Sequence, residues 1–409
     1  MADYTPANAS DNGADRMSIA SQKPSTIAVW GGEETPLAFG AAQVPIVQSA
    51  PFAYEDMDEW AAVALGQAEG YIYSRNTNPT VGVFEEKCRI LEGGDKAIAF
   101  ASGMAAISNT LLSLLSPGDR VVSIKDSYGG TSRLFMDMLP RMHIDVDLVE
   151  TSDADAIDAA IAQGCELVYL ETPTNPTLKI IDLERAIRAA RKRGAIVVVD
   201  NTFATPINQR PLQFGADLVL HSATKYLGGH DDAMGGVLIG REDLVTKVYE
   251  HREICGAVLS AFSAYLLLRG MKTLDLRVQK QNQTGLAVAR FLNQHPKVAS
   301  VFYPGLETHD KHDVAKRQMS GFGGMLSFSV DGDFDALKRF VGGLKYVHRA
   351  ASLGSVNTLI GPPSVTSHVE CTAEQRAALG ISETLLRYSC GVEDADDLIA
   401  QLDEGLKAV

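Results

Sequence analysis

The sequence has no apolar run approaching the roughly 18 residues that a membrane span needs; its strongest stretches are short, such as Ile196 to Val199. It has only five cysteines (Cys88, Cys165, Cys255, Cys371 and Cys390), an odd and scattered set without a CxxC pair. That excludes a disulfide framework and reads as free thiols of a reducing compartment. Positive charge is in deficit: 37 Lys and Arg against 51 Asp and Glu leave a formal charge of −14. Such a surface repels phosphate backbones and anionic headgroups, so neither nucleic acid nor a membrane is an expected partner. The first two dozen residues lack a basic start followed by an apolar core. No secretory signal is expected there, and the cytoplasm is the expected location. There is no Walker A pattern and no GxGxxG fingerprint, which makes nucleotides an unexpected ligand. His309 and His312 sit in a polar stretch, ETHDKHDVAKRQ, that reads as a solvated helix start, and no metal is expected.

What is present is an ordinary globular composition: 409 residues, 45% hydrophobic and 22% charged, enough for two or three domains and a buried site. Between about residues 95 and 240, short β-rich runs (KAIAF, RVVSI, IDVDLV, ELVYLE, AIVVVD, ADLVLHS, GGVLIG) alternate with helical stretches. That alternation predicts βαβ units around a mostly parallel sheet covered on both faces. One connecting helix is legible in detail. Asp182 is its expected N-cap, Leu183, Ile187 and Ala190 share one face, Arg191 to Arg193 crowd the last turn, and Gly194 stops it. After about residue 275 a long polar helix, expected over 278–295, leads into a smaller α+β domain.

Three strand ends carry chemistry. Lys225 follows the strand ADLVL inside His221-Ser222-Ala223-Thr224-Lys225-Tyr226-Leu227-Gly228-Gly229-His230, where an amine can become nucleophilic by desolvation. Asp200 closes the apolar strand Ile196 to Val199, at the end where open α/β sheets bind ligands. KAIAF runs into Ser102-Gly103-Met104-Ala105 and an apolar helix, so Ser102 and Gly103 offer backbone N–H groups at a helix N-terminus to an anion. Each feature alone has an ordinary structural reading: a solvated lysine, a capping acid, a plain N-cap. Together, an amine, an acid and an anion cradle are what pyridoxal phosphate requires.

At this point the chain resembles the cystathionine γ-synthase, cystathionine γ-lyase and methionine γ-lyase family of pyridoxal-phosphate enzymes. The matching motifs run from about Tyr71 to the C-terminus: Tyr73-Ser74-Arg75 with Asn78-Pro79-Thr80, Ser102-Gly103-Met104-Ala105, Tyr128-Gly129-Gly130-Thr131, Glu171-Thr172-Pro173-Thr174-Asn175-Pro176, Asp200-Asn201-Thr202, Ser222-Ala223-Thr224-Lys225, Ser352-Leu353-Gly354 and Arg387-Tyr388-Ser389. The resemblance implies the α/β fold type I architecture, with a mostly parallel seven-stranded sheet in a large domain and a smaller α+β C-terminal domain. The composition of 1–24 reads as a disordered tail; the resemblance implies an N-terminal arm over 25–77 that reaches the neighbouring subunit's site, a cofactor domain over 78–275 and a C-terminal domain over 276–409. Lys225 is then the Schiff-base lysine, Asp200 the partner of the pyridinium, and Tyr128 the ring-stacking and proton-relaying residue. Ser102, Gly103, Met104, Ser222 and Thr224 are the phosphate cup, and Asn175 lies near the ring hydroxyl. Tyr73 and Arg75 reach the phosphate of the neighbouring subunit, which implies a homo-oligomer, a dimer of catalytic dimers. Ser352 and Arg387 bind substrate, Arg387 as the clamp on the α-carboxylate.

Departures within the family bear on the substrate. Cystathionine-handling members usually carry an acid inside the segment that here reads Tyr71-Ile72-Tyr73, and often Glu where this chain has Ala351. Both losses disfavour a substrate with a distal ammonium. Methionine γ-lyases similarly lack those acids and resemble Gly256-Ala257-Val258-Leu259-Ser260, yet typically have Cys at the position of Gly130. Phe203-Ala204-Thr205-Pro206, Leu227 to Asp232 and Arg269 to Leu274 look like plant-type cystathionine γ-synthases, and Asn357 replaces a usual Glu. The leading expectation is α,γ-elimination on an L-amino acid bearing an uncharged γ-substituent. γ-Replacement on an O-activated L-homoserine with a thiol is the alternative, and a specialised-pathway elimination with a non-thiol leaving group is a third.

Overall fold

The computed structural model describes residues 18–34, 37–367, 369 and 372–409. Most of the tail expected over 1–24 therefore lies outside the described residues, as does Cys371. Residues 18–24, which the sequence placed in that tail, already hold a short 3-10 turn, Ile19–Ser21, and the start of a helix, Pro24–Trp30.

Seven strands form the large sheet: β1 Lys96–Phe100, β2 Arg120–Ile124, β3 Asp145–Val149, β4 Leu167–Glu171, β5 Ile196–Asp200, β6 Leu218–Ser222 and β7 Gly236–Gly240. Their order is β1-β7-β6-β5-β4-β2-β3, and only β7 runs antiparallel to its neighbours. The central strands read as unbroken apolar runs because both faces are covered. On one side Phe100, Leu111, Tyr169 and Leu220 share a core, and on the other Val122, Leu170, Val199 and Ile187 do.

The helix Leu183–Arg191 forms as expected. Asp182 accepts the Arg185 N–H at 3.1 Å, Leu183, Ile187 and Ala190 are buried, and Gly194 takes φ 73° just beyond the end. The long helix starts earlier than expected, at Leu274, and ends at Gln294. Within its first turn Leu274 is buried and so, despite its charge, is Arg277. Its guanidinium donates to Tyr226 O at 2.8 Å, Gly270 O at 2.9 Å and Leu227 O at 3.3 Å. Desolvation lowers the Arg277 pKa to about 10, and the three carbonyls clamp the loop that follows Lys225.

The C-terminal part builds a second sheet from β8 Val298–Phe302, β9 Met325–Val330, β10 His348–Arg349, β11 Leu359–Gly361 and β12 Leu385–Ser389, in the order β10-β11-β12-β9-β8. Two hydrogen bonds join it to the large domain near the end of β4: Ser327 Oγ donates to Pro176 O at 2.6 Å and Arg387 Nη1 donates to Asn175 Oδ1 at 3.1 Å. At the other end of the chain, helix Pro24–Trp30 buries Ile27 and Ala28 against the large domain. Glu33 follows, gripped by Lys87 at 2.8 Å and Lys272 at 2.7 Å. Among the described residues no helix is long and apolar enough to cross a membrane.

Candidate active site

The C-terminal ends of β1, β2, β4, β5 and β6 open into one cavity of about 280 Å³. Ser102, Gly103, Met104, Tyr128, Asn175, Asp200, Ser222, Thr224, Lys225 and Arg387, all nominated from the sequence, line it together. Ser352 lies beside it and lines a larger neighbouring cleft of about 910 Å³ that also touches Thr224. Tyr73 and Arg75 line neither. They are exposed and stack on each other, with the Arg75 guanidinium carbon 5.4 Å from the Tyr73 ring centre.

Lys225 is half-buried at the end of β6, and its Nζ donates to Ser352 Oγ at 3.2 Å. Burial, followed by the field of Arg387, lowers its pKa, while Asp231 pulls it the other way. Asp200 is buried and satisfied by three donors: Thr202 N at 3.0 Å and Thr202 Oγ1 at 2.5 Å to Oδ1, and Tyr169 OH at 3.3 Å to Oδ2. Burial raises its pKa against the pull of those donors and of His221. Glu171 is the register partner of Asp200 on β4 and is equally buried. It accepts the Tyr128 N–H at 2.8 Å, and burial beside Asp200 pushes its pKa well up. Of two carboxylates this close, the one with more donors keeps the charge; that is Asp200.

The anion cradle is built by absences. Ser102 caps the helix Gly103–Leu114, accepting Ala105 N–H at 3.1 Å. The first N–H groups of such a helix have no partner within it. A Cβ on Gly103 would stand 2.6 Å from Ser222 Cβ and 2.8 Å from Ser222 Oγ, so only glycine lets this turn close on β6. Gly236 faces Ser222 and Phe100 across β7, and a Cβ there would strike the Ser102 carbonyl. Thr224 Oγ1 is engaged with Gly235, accepting its N–H at 3.1 Å. Gly130 is fixed by its neighbours, since a Cβ would lie 2.7 Å from Met104 Sδ and 3.0 Å from Tyr128 Cε1. A cysteine at that position would require the flexible end of the Met104 side chain to move aside.

Arg387, buried on β12, donates to Asn175 Oδ1 and, through Nη2, to Ser352 O at 3.2 Å. Its pKa is lowered to about 10 by burial, so it stays charged at neutral pH. Asn175 thus spends its side-chain oxygen on Arg387. Four residues escaped role assignment from the sequence: Tyr169, Glu171, Thr202 and Asp231. Tyr169 was the most discoverable, because a phenol inside the aliphatic strand ELVYLE must find a buried partner.

The fit to a cofactor follows from the donor set: an amine of lowered pKa, a buried anion with three donors, and a glycine-tightened helix N-terminus around one cavity. Those features, at the strand ends of this sheet, define a pyridoxal-phosphate enzyme of fold type I. The chain belongs to the Cys/Met metabolism PLP-dependent enzymes, whose family model matches residues 25–407. An L-methionine gamma-lyase of Fusobacterium nucleatum subsp. polymorphum is 42% identical over 91% of this chain and 95% of its own length. A cystathionine gamma-lyase of Bacillus subtilis is 41% identical over 95% of this chain and 100% of its own. The crystal structure of a cystathionine gamma synthase from Xanthomonas oryzae pv. oryzae, in complex with aminoacrylate and cysteine, superposes with a TM-score of 0.90 at 41% identity, covering 95% and 98% of the two chains.

Proposed function

We propose that this protein catalyses α,γ-elimination on an L-amino acid with an uncharged γ-substituent, releasing a 2-oxoacid and ammonia. The observation that carries the reading is the convergence of Lys225, Asp200 and Arg387 on one 280 Å³ cavity. When bound, pyridoxal phosphate supplies an electron sink for negative charge at the substrate's α-carbon. Asp200 would hold the ring nitrogen, Tyr128 would cover the ring, and Ser102, Gly103, Met104, Ser222 and Thr224 would hold the phosphate. Arg387 grips the α-carboxylate, its fork pre-aimed by Asn175 and Ser352. Lys225 would take the proton from the α-carbon, hand it on, and as a free amine again take one from the β-carbon, after which the γ-substituent leaves with the electron pair of its bond to carbon. Its desolvation suits it to be a neutral base.

The cavity lining also includes Ala351, Leu353 and Thr366, none of which carries a carboxylate to pair with a distal ammonium. γ-Replacement remains the alternative, supported by the likeness to the Xanthomonas enzyme. The deciding experiment measures oxoacid and ammonia from L-methionine, L-cystathionine and O-acetyl-, O-succinyl- and O-phosphohomoserine, with and without L-cysteine. Oxoacid from methionine without added thiol is the expected result. Oxoacid only from an activated homoserine, suppressed by cysteine as a thioether forms, would make the protein a γ-synthase.

The working unit is a homo-oligomer in which Tyr73 and Arg75 complete a neighbour's phosphate site. Supporting this, Phe39, Met57, Trp60, Leu65 and Tyr71 leave an N-terminal segment with exposed apolar side chains, which calls for a covering surface. Mixing Lys225→Ala chains with Arg75→Ala chains should restore up to about a quarter of wild-type activity. That figure is a rough estimate resting on statistical pairing in a twofold dimer; no restoration would show that each chain builds its own site. The unpaired thiols of the described Cys88, Cys165, Cys255 and Cys390 support a cytoplasmic location.

A further inference from the structure

Lys225 is linked beyond Ser352. Its Nζ donates to Ser352 Oγ at 3.2 Å, and Ser352 Oγ donates in turn to Asp231 Oδ1 at 3.3 Å. The donor directions are consistent along the chain: ammonium to hydroxyl to carboxylate. Asp231 is a non-glycine residue held at φ 56°, a conformation that L-residues adopt only at an energetic cost and that points to a functional constraint when the surroundings hold it. The surroundings do hold it. Gly229 just before takes φ 69°, its N–H donates to Lys225 O at 2.8 Å, and His230 Nδ1 pairs with Gly228 O at 2.7 Å.

We propose that Asp231 is a positioning residue of the catalytic lysine, acting through Ser352 to hold the Lys225 side chain and to favour the protonated form of its nitrogen. This rests on the reading of Lys225 as the cofactor lysine. The relay opposes two effects that favour the neutral amine, burial and the positive charge of Arg387. The other ionisable groups around the nitrogen line the same cavity: Asp200, Glu171 and Tyr128. Around Asp231, the neighbouring cleft is lined by His230, Asp232, His348 and Arg349. Asp232 is the natural control: it is the adjacent carboxylate, whereas the Ser352 hydroxyl donates to Asp231.

Removing the Asp231 charge destabilises the protonated form of the Lys225 nitrogen, so its proton leaves at lower pH. The test follows the pH titration of the visible absorbance band of the cofactor-loaded enzyme. Asp231→Asn should lower the midpoint by about one pH unit, whereas Asp232→Asn should leave it in place. In a Ser352→Ala background, Asp231→Asn should add little, because the link is already cut. Asp231→Gly removes the carboxylate while easing the positive φ, and serves if the Asn variant folds poorly. An unmoved midpoint in both Asp231 variants, an equal shift in Asp232→Asn, or full additivity in the double variant would overturn the relay. If added cofactor produces no visible band at all, the cofactor reading of Lys225 fails instead. The relay is then read from the pH dependence of Lys225 trinitrophenylation, measured on its peptide by mass spectrometry.

Discussion

Lys225→Ala is expected to lower the rate of oxoacid release by about 10⁴-fold or more, equivalent to about 5 kcal/mol of barrier. The variant loses the proton carrier that the mechanism uses at two carbons, and among the described residues no other amine lines the cavity. The fold should persist, since the change removes a half-buried cation lying in the field of Arg387, so near-native circular dichroism should accompany the loss. Added small amines should restore part of the rate by carrying the proton in place of the side chain. Sustained multiple turnover without added amine would remove Lys225 from its role.

Asp200→Asn is expected to cost about 10³-fold in kcat, or about 4 kcal/mol. Two effects combine. The neutral amide cannot stabilise a positive ring nitrogen, and its NH₂ group must face donors that now point at a carboxylate: Thr202 N–H, Thr202 hydroxyl and Tyr169 hydroxyl. A buried donor without an acceptor is itself costly, so cofactor affinity should fall with the rate. Measuring kcat together with the cofactor dissociation constant separates the two. A variant within tenfold of wild type on both would show that Asp200 does not bear on the ring.

The large sheet was legible because buried parallel strands cannot hide: each reads as a short aliphatic block, and Asp200 and Lys225 stand out where those blocks end. Tightly spaced motifs such as Ser102-Gly103-Met104 were legible for the same reason, since neighbours in sequence remain neighbours at a turn. What stayed hidden lies in contacts between distant segments. Ser352 meets Lys225 across 127 positions of chain and Arg387 meets Asn175 across 212, separations over which no local periodicity carries a signal. Arg277 was hidden in another way. A charge on a helix face reads as solvent, and only the carbonyls of Tyr226, Leu227 and Gly270 reveal that it faces inward.

The arrangement around Ser352 carries a consequence for the order of events. Its carbonyl accepts from Arg387 while its hydroxyl accepts from Lys225, and the Arg387 charge is one of the forces that strip Lys225 of its proton. A substrate carboxylate that docks on the guanidinium cancels that force, so the amine becomes more basic once the molecule it must deprotonate has arrived. By reciprocity, a protonated Lys225 strengthens the grip on the carboxylate by the same free energy. Substrate capture and base strength are thereby two readings of a single thermodynamic linkage.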